Sequence, residues 1–96
     1  MFVVNVNYIG SLDDVDQHLA AHVEFLKKQY EDGVFIASGR KIPRTGGVIL
    51  ARSVTGEQLN RILDEDPFKR AGVAEYDVTE FVASMVADGL SALKEG

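Results

Sequence analysis

The sequence predicts an α+β fold: one four-stranded antiparallel sheet with two helices on one face. Three observations predict it. Two apolar runs alternate or stay apolar like strands on either side of a long segment with helical spacing. A second pair of strand-like runs flanks a shorter helical segment. The resulting order, β-α-β-β-α-β, closes with right-handed crossovers into a single ferredoxin-like split unit.

Phe2 to Tyr8 alternates, with Phe2, Val4, Val6 and Tyr8 on one side and Val3, Asn5 and Asn7 on the other. Gly10 supplies the turn, and Ser11 or Asp13 caps the helix after it. From Leu12 to Asp32 the apolar residues fall at Leu12, Val15, Leu19, Val23, Leu26 and Tyr30, in steps of three and four. Gly33 ends that helix. Val34–Gly39 is the second strand, "RKIPRTGG" a turn-rich connection, and Val48–Arg52 the third strand. Thr55 to Gln58 has the form of a capping box. The short helix it starts runs through Leu59, Ile62 and Leu63, and Pro67 forbids its continuation. "PFKRAG" is one more helical turn closed by Gly72. Val73–Val82 is the fourth strand, and the tail ends in a short helix around Leu90 to Lys94.

The chain has 96 residues, which suits one domain. Its composition, 46% hydrophobic and 26% charged, is that of a soluble globular protein. The net charge of −5 argues against nucleic acid or an anionic membrane as partner, while leaving room for a small anionic ligand at a local positive site. With no cysteine, thiolate nucleophiles, disulfides and zinc–thiolate sites are excluded. "MFVVNVNY" has no basic region before its short apolar run, and no stretch approaches the ~20 apolar residues of a membrane span, so the expected location is the cytoplasm.

"VFIA" and "VIL" are apolar at every position, as in strands buried on both faces, yet two helices cover only one. Either a second copy covers the open face about a two-fold axis, or the tail folds back over it. Hiding ~400 Å² of apolar area per chain would give ~10 kcal/mol before association costs. The expected partner is therefore a second copy of this chain.

His18 and His22 lie four apart on the long helix. His22 stands ~20° outside the arc of Val15, Leu19, Leu26 and Tyr30, and His18 ~60° outside the same edge. His22 should thus face the sheet or its seam, and His18 the border with solvent. Three readings of His22 stay open. It is a half-buried imidazole bonded to a backbone carbonyl, a metal ligand shared with His18, or a general acid–base group oriented by a carboxylate. The metal reading lacks a third ligand, and the helix carries no "HExxH". Asp66 is the candidate carboxylate, although Asp before Pro is also a good helix start.

An ordered set of motifs accompanies these residues. "GVFIASG" (33–39) leaves the first helix, "PRTGGVIL" (43–50) comes next, and "DPFxxAG" (66–72) precedes the last strand. With this set the chain resembles the YciI-like, or YCII-related, family nearly end to end. The resemblance implies a dimeric α+β barrel and a pocket between sheet and helices centred on a His–Asp pair. It assigns the pair to His22 and Asp66, and the small residues after the second strand to Ser38 and Gly39. Arg40 stands where the family commonly has proline, and adds a positive charge at the rim. His18 joins as a candidate contact beside His22. The resemblance implies chemistry of the kind seen in the few members that look like lyases or dehalogenases of ring-cleavage or hydroxyquinone-type compounds, and in a wider barrel group with isomerases and cofactor-free monooxygenases. Their shared step is moving a proton next to a carbonyl or enol, with no cofactor expected.

A mechanism consistent with these residues has His22 as base, Asp66 orienting it, and Ser38 or a backbone amide near Gly39 meeting the developing oxyanion. Arg40, Lys41 and Arg44 would attract a carboxylate or phenolate, or simply make a basic solvated loop. Ser38 has no "GxSxG" elbow around it, and "RTGG" lacks the helix of a phosphate loop. The alternatives to an enzyme are a non-catalytic dimeric module holding a small ligand in the same cleft, and a metal site on His18 and His22.

Overall fold

The computed structural model describes residues 1–96. Its strands are β1 (Phe2–Tyr8), β2 (Phe35–Arg40), β3 (Gly46–Ala51) and β4 (Ala74–Glu80). Its helices are α1 (Leu12–Gln17), α2 (Leu19–Glu31), α3 (Gly56–Leu63) and α4 (Pro67–Arg70), and a 3₁₀ turn spans Ser91–Leu93. The strands form one antiparallel sheet in the order β2-β3-β1-β4, the arrangement that the β-α-β-β-α-β order dictates.

The alternation in β1 sets which face is which. Phe2, Val4 and Val6 are buried beneath the helices. Val4 pairs with Ile49 of β3 and Val78 of β4, so these three lie in one row of the helix-covered face. Leu59 and Leu63 of α3, Phe68 of α4, Val15 of α1 and Phe25 of α2 close the core from above. Thr55 and Gln58 make the capping box in both directions, which fixes where α3 starts.

The expected single helix from Leu12 to Asp32 is two helices that break at His18. There the backbone has φ −106° and ψ 2°, and His18 N–H reaches back to Val15 O, three residues away. On an unbroken helix Val15 and Phe25 would stand ~80° apart. Both are buried, Val15 on α1 and Phe25 on α2. The buried flank of α2 is accordingly Phe25 and Gln29, while Leu19, Val23 and Tyr30 of the expected stripe are exposed.

β3 begins earlier than its apolar run, at Gly46, so five residues rather than eight connect it to β2. Gly46 and Gly47 look like turn residues but belong to the sheet. A Cβ on Gly46 would stand 1.8 Å from the carbonyl oxygen of Val6, so here only glycine lets β3 approach β1. The expected helix near Leu90 is only the 3₁₀ turn, and hydrogen bonds hold the tail at one end of the sheet. Arg52 donates to Ala92 O, and Glu95 accepts from Met1 and from Ala83 N–H. No helix is long and apolar enough to cross a membrane.

Candidate active site

α2 lies across β1, β3 and β2 without filling the space beneath it. The hollow it leaves is ≈ 270 Å³, and its walls include Leu19, His22 and Leu26 from α2, Val6 and Tyr8 from β1, and Ser38 and Arg40 from β2. Leu19 keeps its exposure because it walls this hollow rather than entering the core.

His22 and Asp66 come together. Asp66 is 0% exposed and sits in the bend between α3 and α4, where Pro67 occupies the first helical position. Its Oδ1 accepts from Phe68 N–H at 3.0 Å, which is the N-cap bond of α4. The same oxygen lies 2.8 Å from His22 Nδ1. Capping and histidine contact therefore coexist, because a carboxylate oxygen has lone pairs for both. A carboxylate only accepts, so Nδ1 carries a proton, and in the neutral tautomer the lone pair falls to Nε2. Nδ1 is spent on Asp66, and Nε2, across the ring, has no protein partner. The His22 side chain is 12% exposed, through the hollow that it lines.

Aromatic packing fixes the imidazole further. Its ring lies on Phe68 with centroids 3.9 Å apart and planes 8° apart. Phe68 in turn meets the edge of Tyr8 at 5.9 Å. "DPF" thus supplies an acid that orients the histidine, a proline that sets the turn, and a ring that supports the histidine's face.

Tyr76 completes the surroundings of Asp66 by donating its hydroxyl to Oδ2. Burial, and then the hydrogen bond to the carboxylate, push the Tyr76 phenol far above its usual range. The folded chain therefore holds the phenol neutral where the unfolded chain ionises it. This contribution to stability is complete below the unfolded tyrosine value of about 10 and is lost as pH rises beyond it. Tyr76→Phe is expected to cost about 1–3 kcal/mol at neutral pH, since the bond goes to a charged acceptor. Chemical denaturation of both chains against pH checks the sign: the gap between them narrows above pH ~10. Sequence reading overlooks Tyr76 because strand alternation marks it only as one more residue on the helix-covered face.

The other expected contacts separate. Ser38 and Arg40 both face the hollow from β2. Ser38 Oγ lies 2.6 Å from the hydroxyl of Tyr30 on α2. Gly39 lines the floor through its backbone. Lys41 N–H donates to Gly46 O, and ladder alternation turns Gly39, two residues earlier, toward β3 as well. Its amide is thus taken up by the sheet rather than free for an oxyanion. His18 does not line the hollow. The helix break places it at the junction of α1 and α2, where its side chain makes no capping bond. No group of three His, Asp or Glu side chains forms around it and His22. Tyr8, on the same side of β1 as Phe2 and Val4, lines the hollow.

The fold is similar to that of 5-chloro-2-hydroxyhydroquinone dehydrochlorinase from Burkholderia phenoliruptrix AC1100, whose structure is a complex with 2,5-dihydroxybenzoquinone. The match has a TM-score of 0.71 and covers 84% of this chain and 93% of that one, at 18% identity. At that identity the likeness is one of fold. No curated protein matches the chain. The family model of the YCII-related domain matches residues 1–82, spanning the sheet, the four helices and both members of the His22–Asp66 contact. The chain belongs to the YCII-related family.

Proposed function

We propose that the chain is a small enzyme that moves a proton on a compact enol, carbonyl or hydroxyquinone-type compound without a cofactor, with His22 as base and Asp66 as its orienting acid. The single observation that carries this reading is the 2.8 Å contact from Nδ1 of His22, a residue that lines the hollow, to buried Asp66. A histidine buried only for packing needs no such opening beside it.

In this mechanism Nε2 takes a proton from an enol hydroxyl or from carbon next to a carbonyl. The electron pair left behind is delocalised onto oxygen. It then either expels a leaving group such as halide or is reprotonated at another carbon. Asp66 stabilises the imidazolium that forms and holds its tautomer. Ser38 lines the hollow and shares a hydrogen bond with the Tyr30 hydroxyl, so its own hydroxyl can donate to the developing oxyanion. The hollow of ≈ 270 Å³ is slightly below the ~300–1,000 Å³ of sites for drug-sized ligands, which favours a single small ring.

His22→Gln keeps a polar side chain of similar bulk. It is expected to lower kcat/KM about 10²–10⁴-fold on members of a panel of small hydroxyquinones and chlorinated hydroquinones that the wild-type chain turns over. An unchanged value would refute the assignment. A chain that binds these compounds and turns over none of them would instead be a binding module.

Two copies are proposed to pair through the open sheet face. Val3, Leu50 and Ala37 form one row across that face, and Val48, which is 37% exposed, heads the next beside Asn5 and Asp77. A row of apolar side chains in a chain this small is better buried against its own copy than left in water. Val48→Asp would place a charge in that seam. Sedimentation equilibrium is expected to give a dimer for the wild-type chain and a monomer for the variant, and a wild-type monomer would rule out the pairing.

A further inference from the structure

The geometry points to Arg40 as a carboxylate anchor that selects, for the site proposed above, a ring compound bearing an acid group away from the reacting proton. This inference rests on the His22 reading for the chemistry, and on its own observations for the anion.

The connection from β2 to β3 carries three cations close together, Arg40, Lys41 and Arg44. The structure gives them different fates. Lys41 Nζ donates to Asn7 Oδ1 at 2.7 Å, on the row of the sheet that faces away from the helices. Arg44 donates to Asp16 Oδ1 at 2.6 Å and lies 6.0 Å from the centre of the Tyr8 ring. That partner holds its guanidinium above the ordinary arginine range. Arg40 is in none of the ion pairs or side-chain hydrogen bonds. It is the cation that lines the hollow.

Its place in the register makes it suited to a ligand. Arg40 pairs with Gly47, Gly47 with Val6, and Val6 with Tyr76, in one row of the helix-covered face. Gly47 has no side chain, so nothing stands on the floor between Arg40 and Val6. Two strand spacings separate those residues, roughly 10 Å. Tyr76, at the far end of the row, binds Asp66, which binds His22. A ligand lying along the row would thus meet a cation at one end and the imidazole toward the other. The planar guanidinium matches a carboxylate with two parallel hydrogen bonds, which a phenolate oxygen cannot accept. On a chain of net charge −5, an unpaired arginine at a pocket wall also draws an anion to that wall rather than to the surface at large.

The test measures binding by calorimetry, so it needs no turnover. The probes are 2,5-dihydroxybenzoate and hydroquinone, the same ring with and without the acid. The wild-type chain is expected to bind the dihydroxybenzoate about 10-fold or more tightly than hydroquinone. Arg40→Gln should remove that preference, weakening the dihydroxybenzoate about 10-fold while leaving hydroquinone unchanged. Arg40→Lys, which keeps the charge but loses the fork, should fall between. Arg40 is exposed and unpaired, so these variants are expected to keep the fold. Equal affinity for the two probes in the wild-type chain, no binding of the dihydroxybenzoate, or a preference that survives Arg40→Gln would each overturn the inference. Loss of proton transfer on His22→Gln is read separately, so the anchor can fail while the base stands, and the base can fail while the anchor stands.

Discussion

Replacing Asp66 with Ala is expected to destabilise the chain by about 3–5 kcal/mol, the cost of removing one partner from a buried polar cluster. Asp66 is fully buried and receives a hydrogen bond from His22, from the Phe68 backbone and from the Tyr76 hydroxyl. Alanine would leave all of them facing a space that offers no acceptor. It would also uncap α4, the single turn that carries Phe68 into the core and under the histidine ring. Domains of this size have a total stability of about 5–15 kcal/mol, so the loss is a large fraction of the whole. The thermal midpoint should fall by more than about 12 °C. Asp66→Asn keeps the volume and a capping oxygen, and should lose only about 1–2 kcal/mol while still disturbing the histidine. Urea unfolding of the two variants measures the difference. A loss below about 1 kcal/mol for the alanine variant would mean that water reaches this cluster in the folded chain and replaces the lost carboxylate.

A second large effect is expected at Gly46, where nothing chemical is at stake. A Cβ there would stand 1.8 Å from Val6 O and 2.9 Å from Val6 C. The obstacle is backbone in the central strand, so no rotamer change relieves it. Gly46→Ala must part β1 from β3 next to the Val6–Gly47 and Asn7–Gly46 pairs. Ordinary core overpacking costs about 1–3 kcal/mol, and this substitution is expected to exceed about 3 kcal/mol because two strands must move. Val6 and Gly47 both line the hollow, so the same shift would spoil ligand binding in whatever fraction still folds. Amide exchange across β1 and β3 would report it directly. Wild-type protection in the variant would show that the sheet yields at little cost.

Both residues bear on how much of the fold is legible in the chain. Strand phase in β1 is plain because its apolar alternation has one explanation, and the capping box at Thr55 fixes the start of α3. Gly46 misleads because glycine in a turn and glycine in a crowded strand look alike in sequence. Only the neighbouring Val6 carbonyl tells them apart. The long helix reads as unbroken because its spacing of three and four runs through His18. No proline or glycine stands near His18 to announce the break, and Val15 and Phe25 are buried on either side of it.

The site is legible to a similar degree. The helical angle of His22 puts it near the sheet, and it lines the hollow beside α2. Asp66 carries two meanings, helix cap and histidine partner. Sequence alone sets them against each other, whereas in the fold one oxygen serves both. Tyr76 and Phe68 lie beyond reach, since a residue's contact with a carboxylate or an imidazole across the fold leaves no periodic trace. The separation of Arg40 from Lys41 and Arg44 likewise depends on which carboxylate or amide each one finds.

The proposed chemistry depends throughout on His22 moving a proton at carbon or oxygen beside a carbonyl. The decisive measurement is exchange of the ring hydrogens of 2,5-dihydroxybenzoquinone for deuterium in heavy water, followed by proton NMR. The wild-type chain is expected to accelerate that exchange, and His22→Gln to return it to the rate without protein while circular dichroism shows the fold intact. Exchange that is no faster with the wild-type chain than without it, or equally fast with the variant, would remove His22 from that role.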